Sequence, residues 1–265
     1  MSTGEAWQGW EAKESPELFG VKKSSDPLDP RAFERANMEL RNEEKVKEIL
    51  GSATEEYGIQ RILERMNEDG DLKEDVVEHS FRGASLAVDI GLELRLKSEE
   101  LEGLALGMML HDIGKRDMPK EILFKKGKLT DEERSVIEAH PVWGLIALSS
   151  DPELRFAASV KGVREIVFGH HGFRKKHPYP IDILGEWSSM GGGNMSEEQI
   201  RLIQLAATAD VFDALASARS YKEAIGDREE AEKRMREDLN VPSEFIDMAL
   251  ARFEAKPALY NRAAA

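Results

Sequence analysis

From Arg31 onward apolar residues return at helical spacing with charged residues between them, which predicts α-helices near 31–50, 54–67, 74–92, 98–112, 130–138, 141–149, 160–169, 196–218, 227–239 and 243–254. Some of these starts carry a signal of their own. Thr130 with Glu133, and Ser196 with Gln199, have the spacing of capping boxes, in which side chains and backbone amides at a helix start satisfy one another; Asp227 with Glu230 follows the same logic. Only the Arg164-Glu165-Ile166-Val167-Phe168 stretch has the composition of a strand, and nothing alternates apolar and polar residues long enough to build a sheet. The expected fold class is all-α, a helical bundle. Residues 1–30 differ: polar, with Ser-Ser-Asp-Pro and Asp-Pro turn signals, they read as a tail or strap over the domain, with Trp7, Trp10 and Phe19 as its anchors. The glycine run at 191–193 lacks the preceding strand of a phosphate-cradling loop and reads as a connection.

A chain of 265 residues with 41% apolar content is long enough to bury one sizeable core. No run reaches the roughly 18 apolar residues of a membrane helix, and residues 1–20 mix acids with turn formers where a signal peptide would be apolar. A cytoplasmic protein is expected. Cysteine is absent, which excludes disulfides, zinc–thiolate sites, iron–sulfur clusters and thiol catalysis, so any metal must sit on nitrogen and oxygen ligands. A formal net charge of −14 argues against binding duplex nucleic acid or an anionic membrane. Two basic islands run against that balance, at 115–128 and at Arg174-Lys175-Lys176, and each follows a histidine motif directly.

Five of the six histidines fall in or beside predicted helices, and ligand-type residues occur as adjacent pairs, His111-Asp112 and His170-His171. A lone histidine on an apolar face is more often a hydrogen-bonded core residue than a ligand. Several together, with aspartates beside them, reverse those odds. In LALGMMLHDIGK, residues 104–115, an apolar helix delivers His111 and Asp112 together at its C-terminal end, with Gly114 as the expected stop. Asp112 offers two oxygens and so suits a bridge between two cations roughly 3.5–4 Å apart, with imidazoles filling the remaining positions. Lys115 follows within reach of an anion bound there, and equally suits a cap on the helix C-terminus.

Together these pieces resemble the HD superfamily, and within it the HD-GYP branch of cyclic-dinucleotide phosphodiesterases, over roughly residues 75–222. The carriers are His79-Ser80, HDIGK at 111–115, MPKEIL at 118–123, LTDEE at 129–133, His140 followed by Gly144, His170-His171, and ADVFDALASARSYK at 209–222. The resemblance implies an HD-domain helical bundle at 71–225, an additional helical segment before it at 31–70, and C-terminal helices at 226–265 packed on the same domain. It implies that His79, His111, Asp112 and Asp210 hold one divalent metal, that Asp112 bridges, and that His140, His170 and His171 complete a second. Asp75 stands one helical turn before His79, where some members use a glutamate for a third metal; a solvated surface acid is the equal alternative. Iron or manganese is favoured. Lys115, Arg219 and Lys222 map onto the branch's phosphate contacts, Tyr179 onto the substrate loop, and Asp213 is retained.

The loop that names the branch is altered. Where the branch reads His-His-Glu, a variable stretch and Gly-Tyr-Pro, residues 170–180 read HHGFRKKHPYP. Gly172 stands for the glutamate, Pro178 for the glycine, and Arg174, Lys175 and Lys176 make the loop basic, while Pro178 restricts itself and His177 before it. His177 suits a loop surface better than substrate contact. The expected reaction is in-line attack of metal-activated hydroxide on a cyclic dinucleotide such as cyclic di-GMP, with Asp112 and Lys115 catalytic and Lys115, Arg219 and Lys222 steadying the phosphoryl oxygens. The altered loop leaves open another nucleotide or phosphoester. A di-iron oxygenase shares the HD ligand set, and a binding module without catalysis is a further class; LTDEE, FDALASARSYK and the full ligand series favour the hydrolase. The expected partner is a small anionic nucleotide. The helix at 31–50 and the aromatic tail suit a homodimer contact, and packing within the chain explains them equally well.

Overall fold

A computed structural model of the chain describes residues 38–59, 61–63, 66, 73–217 and 224–253, with backbone alone at 73–75. The expected strap at 1–30, the start of the first predicted helix, the Asp75 side chain, Arg219 and Lys222 lie outside the described residues. Among those described, eleven α-helices follow one another: α1 (Glu43–Glu56), α2 (His79–Glu93), α3 (Ser98–Leu110), α4 (Lys120–Leu123), α5 (Asp131–Glu138), α6 (His140–Ser150), α7 (Val163–Gly169), α8 (Ile183–Ser189), α9 (Glu197–Ala216), α10 (Arg228–Asp238) and α11 (Ser243–Leu250). A π-helical turn, Lys73–Glu78, runs into α2, and 3₁₀ turns occupy Ile113–Asp117 and Ala157–Ser159. Two isolated antiparallel bridges, Met38 with Phe253 and Arg174 with Leu239, are the β-structure among the described residues. No described helix is long and apolar enough to cross a membrane.

The capping boxes at Thr130 and Ser196 form as expected, and Asp227 caps α10 by accepting from the Glu229 amide. The helix expected at 160–169 forms as α7 despite the strand-like composition of residues 164–168, because Val163, Ile166 and Val167 recur at helical spacing and all three are buried, so packing overrides β propensity. Other expectations change. The break expected after residue 50 does not occur: α1 continues through Gly51 and ends before Gly58, which takes the left-handed conformation with φ 64°. Helices α4 and α8 were not expected; they are short, and their apolar residues are too few to set a period. Finally, α3 stops at Leu110, before His111 and Asp112, which occupy the turn leading into Ile113–Asp117.

α2, α3 and α9 form the interior. Every residue from 79 to 91 and from 103 to 110 is buried, as fits helices enclosed on all sides rather than amphipathic surface helices. α2 packs on α3 and α9, α7 against α3 and α6, α1 across α2 and α3, and α10 and α11 on α9. Buried Asp89 on α2 ties both ends of the described chain to this core: it accepts from the Asn42 amide at 2.7 Å, the Arg41 amide at 3.2 Å, the Asn42 side chain at 2.8 Å and Arg252 Nε at 2.8 Å.

Gly114 does not act as a left-handed helix stop. Its role is close approach: a Cβ there would lie 2.2 Å from the His140 carbonyl oxygen and 2.6 Å from the Gly144 amide nitrogen, so the 3₁₀ turn and α6 meet backbone to backbone. That contact fixes the turn carrying Asp112 against the helix start carrying His140. Gly114→Ala is expected to cost on the order of 3 kcal/mol of stability, because rigid backbone must move. Urea unfolding checks this; a midpoint equal to that of the parent protein contradicts it.

Candidate metal centre

Four helix termini and one helix interior converge. α2 begins at His79, the turn after α3 carries His111 and Asp112, α6 begins at His140, α7 ends next to His170 and His171, and Asp210 sits within α9. All seven residues are buried. The helix ends themselves orient the rings. His111 Nδ1 lies 2.7 Å from the Met108 carbonyl oxygen, His140 Nδ1 2.8 Å from that of Ile137, and His170 Nδ1 3.1 Å from that of Val167. A carbonyl only accepts, so each Nδ1 carries the hydrogen and each Nε2 turns a lone pair inward. His79 is oriented by a carboxylate instead: its Nδ1 is 2.6 Å from Asp213 Oδ2, and Asp213 accepts from Arg82 Nε at 2.7 Å and Ser217 Oγ at 2.7 Å.

The inward atoms crowd one another: Lys115 Nζ donates to Asp112 Oδ2 at 2.6 Å and His79 Nε2 lies 2.9 Å from Asp210 Oδ1, but other inward acceptors face one another directly. His140 Nε2 stands 3.1 Å from His170 Nε2 and 3.2 Å from Asp112 Oδ1. His111 Nε2 is 3.4 Å from Asp112 Oδ2 and 3.8 Å from Asp210 Oδ1, and His171 Nδ1 is 3.7 Å from Asp210 Oδ2. His111 Nε2, Asp112 Oδ1, His171 Nδ1 and Asp210 Oδ2 are buried with no hydrogen-bond partner. Buried acceptors facing acceptors repel unless cations lie among them. The donor atoms fall into two groups with metal-ligand spacing, His79 with His111 and Asp112, and His140 with His170 and His171, each within 4.8 Å. Imidazole and carboxylate donors of this kind fit divalent transition metals.

Charge states agree with that fit. Burial lowers the pKa of His111 and pushes those of His170 and His171 well below the usual imidazole range. Burial alone would raise Asp112, but the Lys115 ammonium 2.6 Å from Oδ2 and the neighbouring histidines hold its carboxyl well below the usual range; for Asp210 the His79 hydrogen bond and His171 do the same against burial. Neutral imidazoles and ionised carboxylates are the forms a metal binds. For the metal-free protein the sign follows from the depressed histidines. Unfolded histidine takes up a proton below about pH 6.5, whereas His170 and His171 stay neutral while the chain is folded. Stability present at pH 7.5 is therefore expected to fall by pH 5.5, by on the order of 1 kcal/mol for each of these two rings. Urea titrations with chelator at both pH values measure it; an unchanged or higher stability at pH 5.5 is the contrary result.

Of the residues expected at the substrate, Lys115 is hydrogen-bonded to Asp112, and Tyr179 lies with its ring 4.4 Å from that of His171, its phenol held neutral by a pKa that burial raises. His177 is exposed on the loop. The Asp213–Arg82 pair behind His79 was not expected, although a signal was present: Arg82 follows His79, and Asp213 follows Asp210, by three residues, one helical face in each case. Arg174 was read only as part of a basic loop; it reaches Asp210, with Nη2 3.9 Å from Oδ2.

Residues 64–187 match the family described as HD domain. A cyclic di-GMP phosphodiesterase of Vibrio cholerae is 39% identical over 117 residues, covering 44% of this chain and 22% of that protein. The cyclic di-GMP phosphodiesterase response regulator RpfG of Xanthomonas campestris is 31% identical over 180 residues, covering 62% of this chain and 44% of that protein. The matched stretch thus spans less than half the length of either relative. Among solved structures, Bd1817, an HDG"Y"P protein from Bdellovibrio bacteriovorus, has a similar fold, with a TM-score of 0.50 at 15% identity over 84% of this chain and 76% of that one. Family match, relatives and helical architecture agree that residues 64–187 of the chain are similar to an HD domain.

Proposed function

We propose that the chain is a metal-dependent phosphodiesterase acting on a cyclic dinucleotide of the cyclic di-GMP kind. The observation that carries this reading is the buried ring of five imidazoles and two carboxylates whose unpaired acceptors face one another, with the ammonium of Lys115 at its edge. Its two ligand groups suit two divalent cations, His79, His111 and Asp112 with Asp210 on one side and His140, His170 and His171 on the other, Asp112 bridging. The donor set suits iron, manganese, nickel or zinc, and the resemblance favours iron or manganese. When bound, such a pair supplies Lewis acidity at a phosphoryl oxygen and acidifies a water towards neutral pH. The chain's own residues supply the rest. Lys115 neutralises charge on the scissile phosphate, Tyr179 presents a neutral hydroxyl beside His171, and the Asp213–Arg82 pair keeps His79 in its ligand tautomer. The phosphodiesterases named among the relatives support a cyclic dinucleotide as substrate.

One observation favours a second reading of the same chemistry. Gly172 and Pro178 replace two residues of the branch's loop, which suits a shifted substrate, another nucleotide or phosphoester. A panel settles the choice: cyclic di-GMP, cyclic GMP–AMP, linear dinucleotides and simple phosphodiesters, incubated with manganese- or iron-loaded protein and resolved by chromatography. Conversion of cyclic di-GMP to linear products is expected; cleavage of other phosphoesters alone shifts the reading to the second, and no cleavage of any substrate overturns both.

A further inference from the structure

The altered loop is held firmly where it passes the centre. The Lys175 amide donates to the Asp238 carbonyl at 2.6 Å, the Asn240 amide to the Phe173 carbonyl at 2.8 Å, and Lys175 Nζ to the Arg236 carbonyl at 2.6 Å, while Arg174 itself pairs with Leu239. These bonds anchor the Arg174 backbone to the end of α10, so the side chain is delivered from a fixed point. The guanidinium lies 5.9 Å from the centre of the Tyr179 ring and 3.9 Å from Asp210 Oδ2. The second distance is outside hydrogen-bonding range. Arg174 Nε is buried and has no hydrogen-bond partner. A planar fork with a permanent charge is thus aimed into the centre, with a donor that neither neighbour satisfies.

We propose that Arg174 is a substrate-binding residue peculiar to this loop, gripping the non-bridging oxygens of a phosphodiester on the Asp210 side of the centre. Two oxygens on one phosphorus match the guanidinium fork, which Asp210 faces at ion-pair distance without a hydrogen bond. Lys115 sits at Asp112 and Arg174 at Asp210, so each of the two carboxylates has a cationic side chain beside it. Beside the same loop a cleft of about 340 Å³ is lined by Lys176 and by Val211, the neighbour of Asp210, with Leu215, Arg234, Glu237 and Asp238. The anion class rests on the phosphodiesterase reading; the existence of an anion subsite at Arg174 does not.

The test compares metal-loaded full-length protein with Arg174→Gln and Arg174→Lys, measuring metals per chain and the affinities for inorganic phosphate and for cyclic di-GMP by titration calorimetry. Arg174→Gln is expected to keep its metals and to weaken both affinities about 10- to 100-fold. Arg174→Lys is expected to restore part of the loss, since it keeps the charge without the fork. Affinities equal to those of the parent protein in Arg174→Gln overturn the inference, as does a loss of anion binding that tracks a loss of metal. Failure of the parent protein to bind either anion overturns it too. Phosphate binding that depends on Arg174, with cyclic di-GMP not bound, upholds the subsite and removes the substrate reading.

Discussion

Asp112→Ala is expected to lower hydrolysis about 10³-fold or more while leaving the chain folded. The carboxylate lies within reach of both ligand groups: Oδ2 is 3.4 Å from His111 Nε2, and Oδ1 is 3.2 Å from His140 Nε2 and 3.9 Å from His170 Nε2, while Asp210 reaches His79 Nε2 at 2.9 Å but the second group only through His171 Nδ1 at 3.7 Å, among the described residues. On the proposed two-cation reading, its removal would take away the ligand shared by the two groups and with it Lewis-acid stabilisation worth several kcal/mol, which corresponds to about three decades of rate or more. The fold is expected to survive for an electrostatic reason. Removing a charge from among buried acceptors relieves repulsion, and Lys115, the partner left behind, is near enough to the surface to be solvated, at 15% exposure. Steady-state kinetics beside a thermal melt separates the two effects. Activity within tenfold of the parent protein would sink the bridging role.

The second large effect is on stability. Asp89→Ala is expected to cost about 3–5 kcal/mol, because it removes the buried carboxylate paired with the fully buried guanidinium of Arg252, leaving Nε without its acceptor, and removes the acceptor of two backbone amides. Arg252 keeps bonds to Glu93 Oε2 at 2.7 Å and to the Met248 carbonyl at 2.9 Å, but neither replaces the lost buried charge. Adding Arg252→Met to Asp89→Ala is expected to recover part of the loss, since the buried guanidinium with its unpaired Nε is then gone. Urea unfolding of the single and double variants measures the coupling. Strict additivity of the two substitutions would mean that the pair contributes no interaction of its own.

Much of this architecture was legible in the chain. Helical periodicity located the long helices because α2, α3 and α9 are rich enough in apolar residues to declare their burial, and two capping boxes marked helix starts to the residue. The histidines and aspartates stood out as a group because apolar helices seldom carry adjacent ligand-type residues, and the structure brings His79, His111, Asp112, His140, His170, His171 and Asp210 into one buried cluster. Long-range pairings were not legible. Asp89 with Arg252 joins residues 163 apart, and Asp213 with Arg82 joins residues 131 apart; local pattern carries no information on such partners. The function of Gly114 was misread for a related reason. A glycine after a helix is usually a left-handed stop, and only the packed position of α6 reveals that its missing side chain makes room for a carbonyl.

Stripping the protein with chelator and returning manganese or ferrous iron in measured equivalents, while following cyclic di-GMP hydrolysis, bears most directly on the proposed two-cation centre. Activity should be absent without metal, rise through the second equivalent per chain, and stay absent in Asp112→Ala. Full activity in the stripped protein, or no uptake of either metal, would contradict the assignment of the buried histidine–aspartate cluster as a catalytic metal centre.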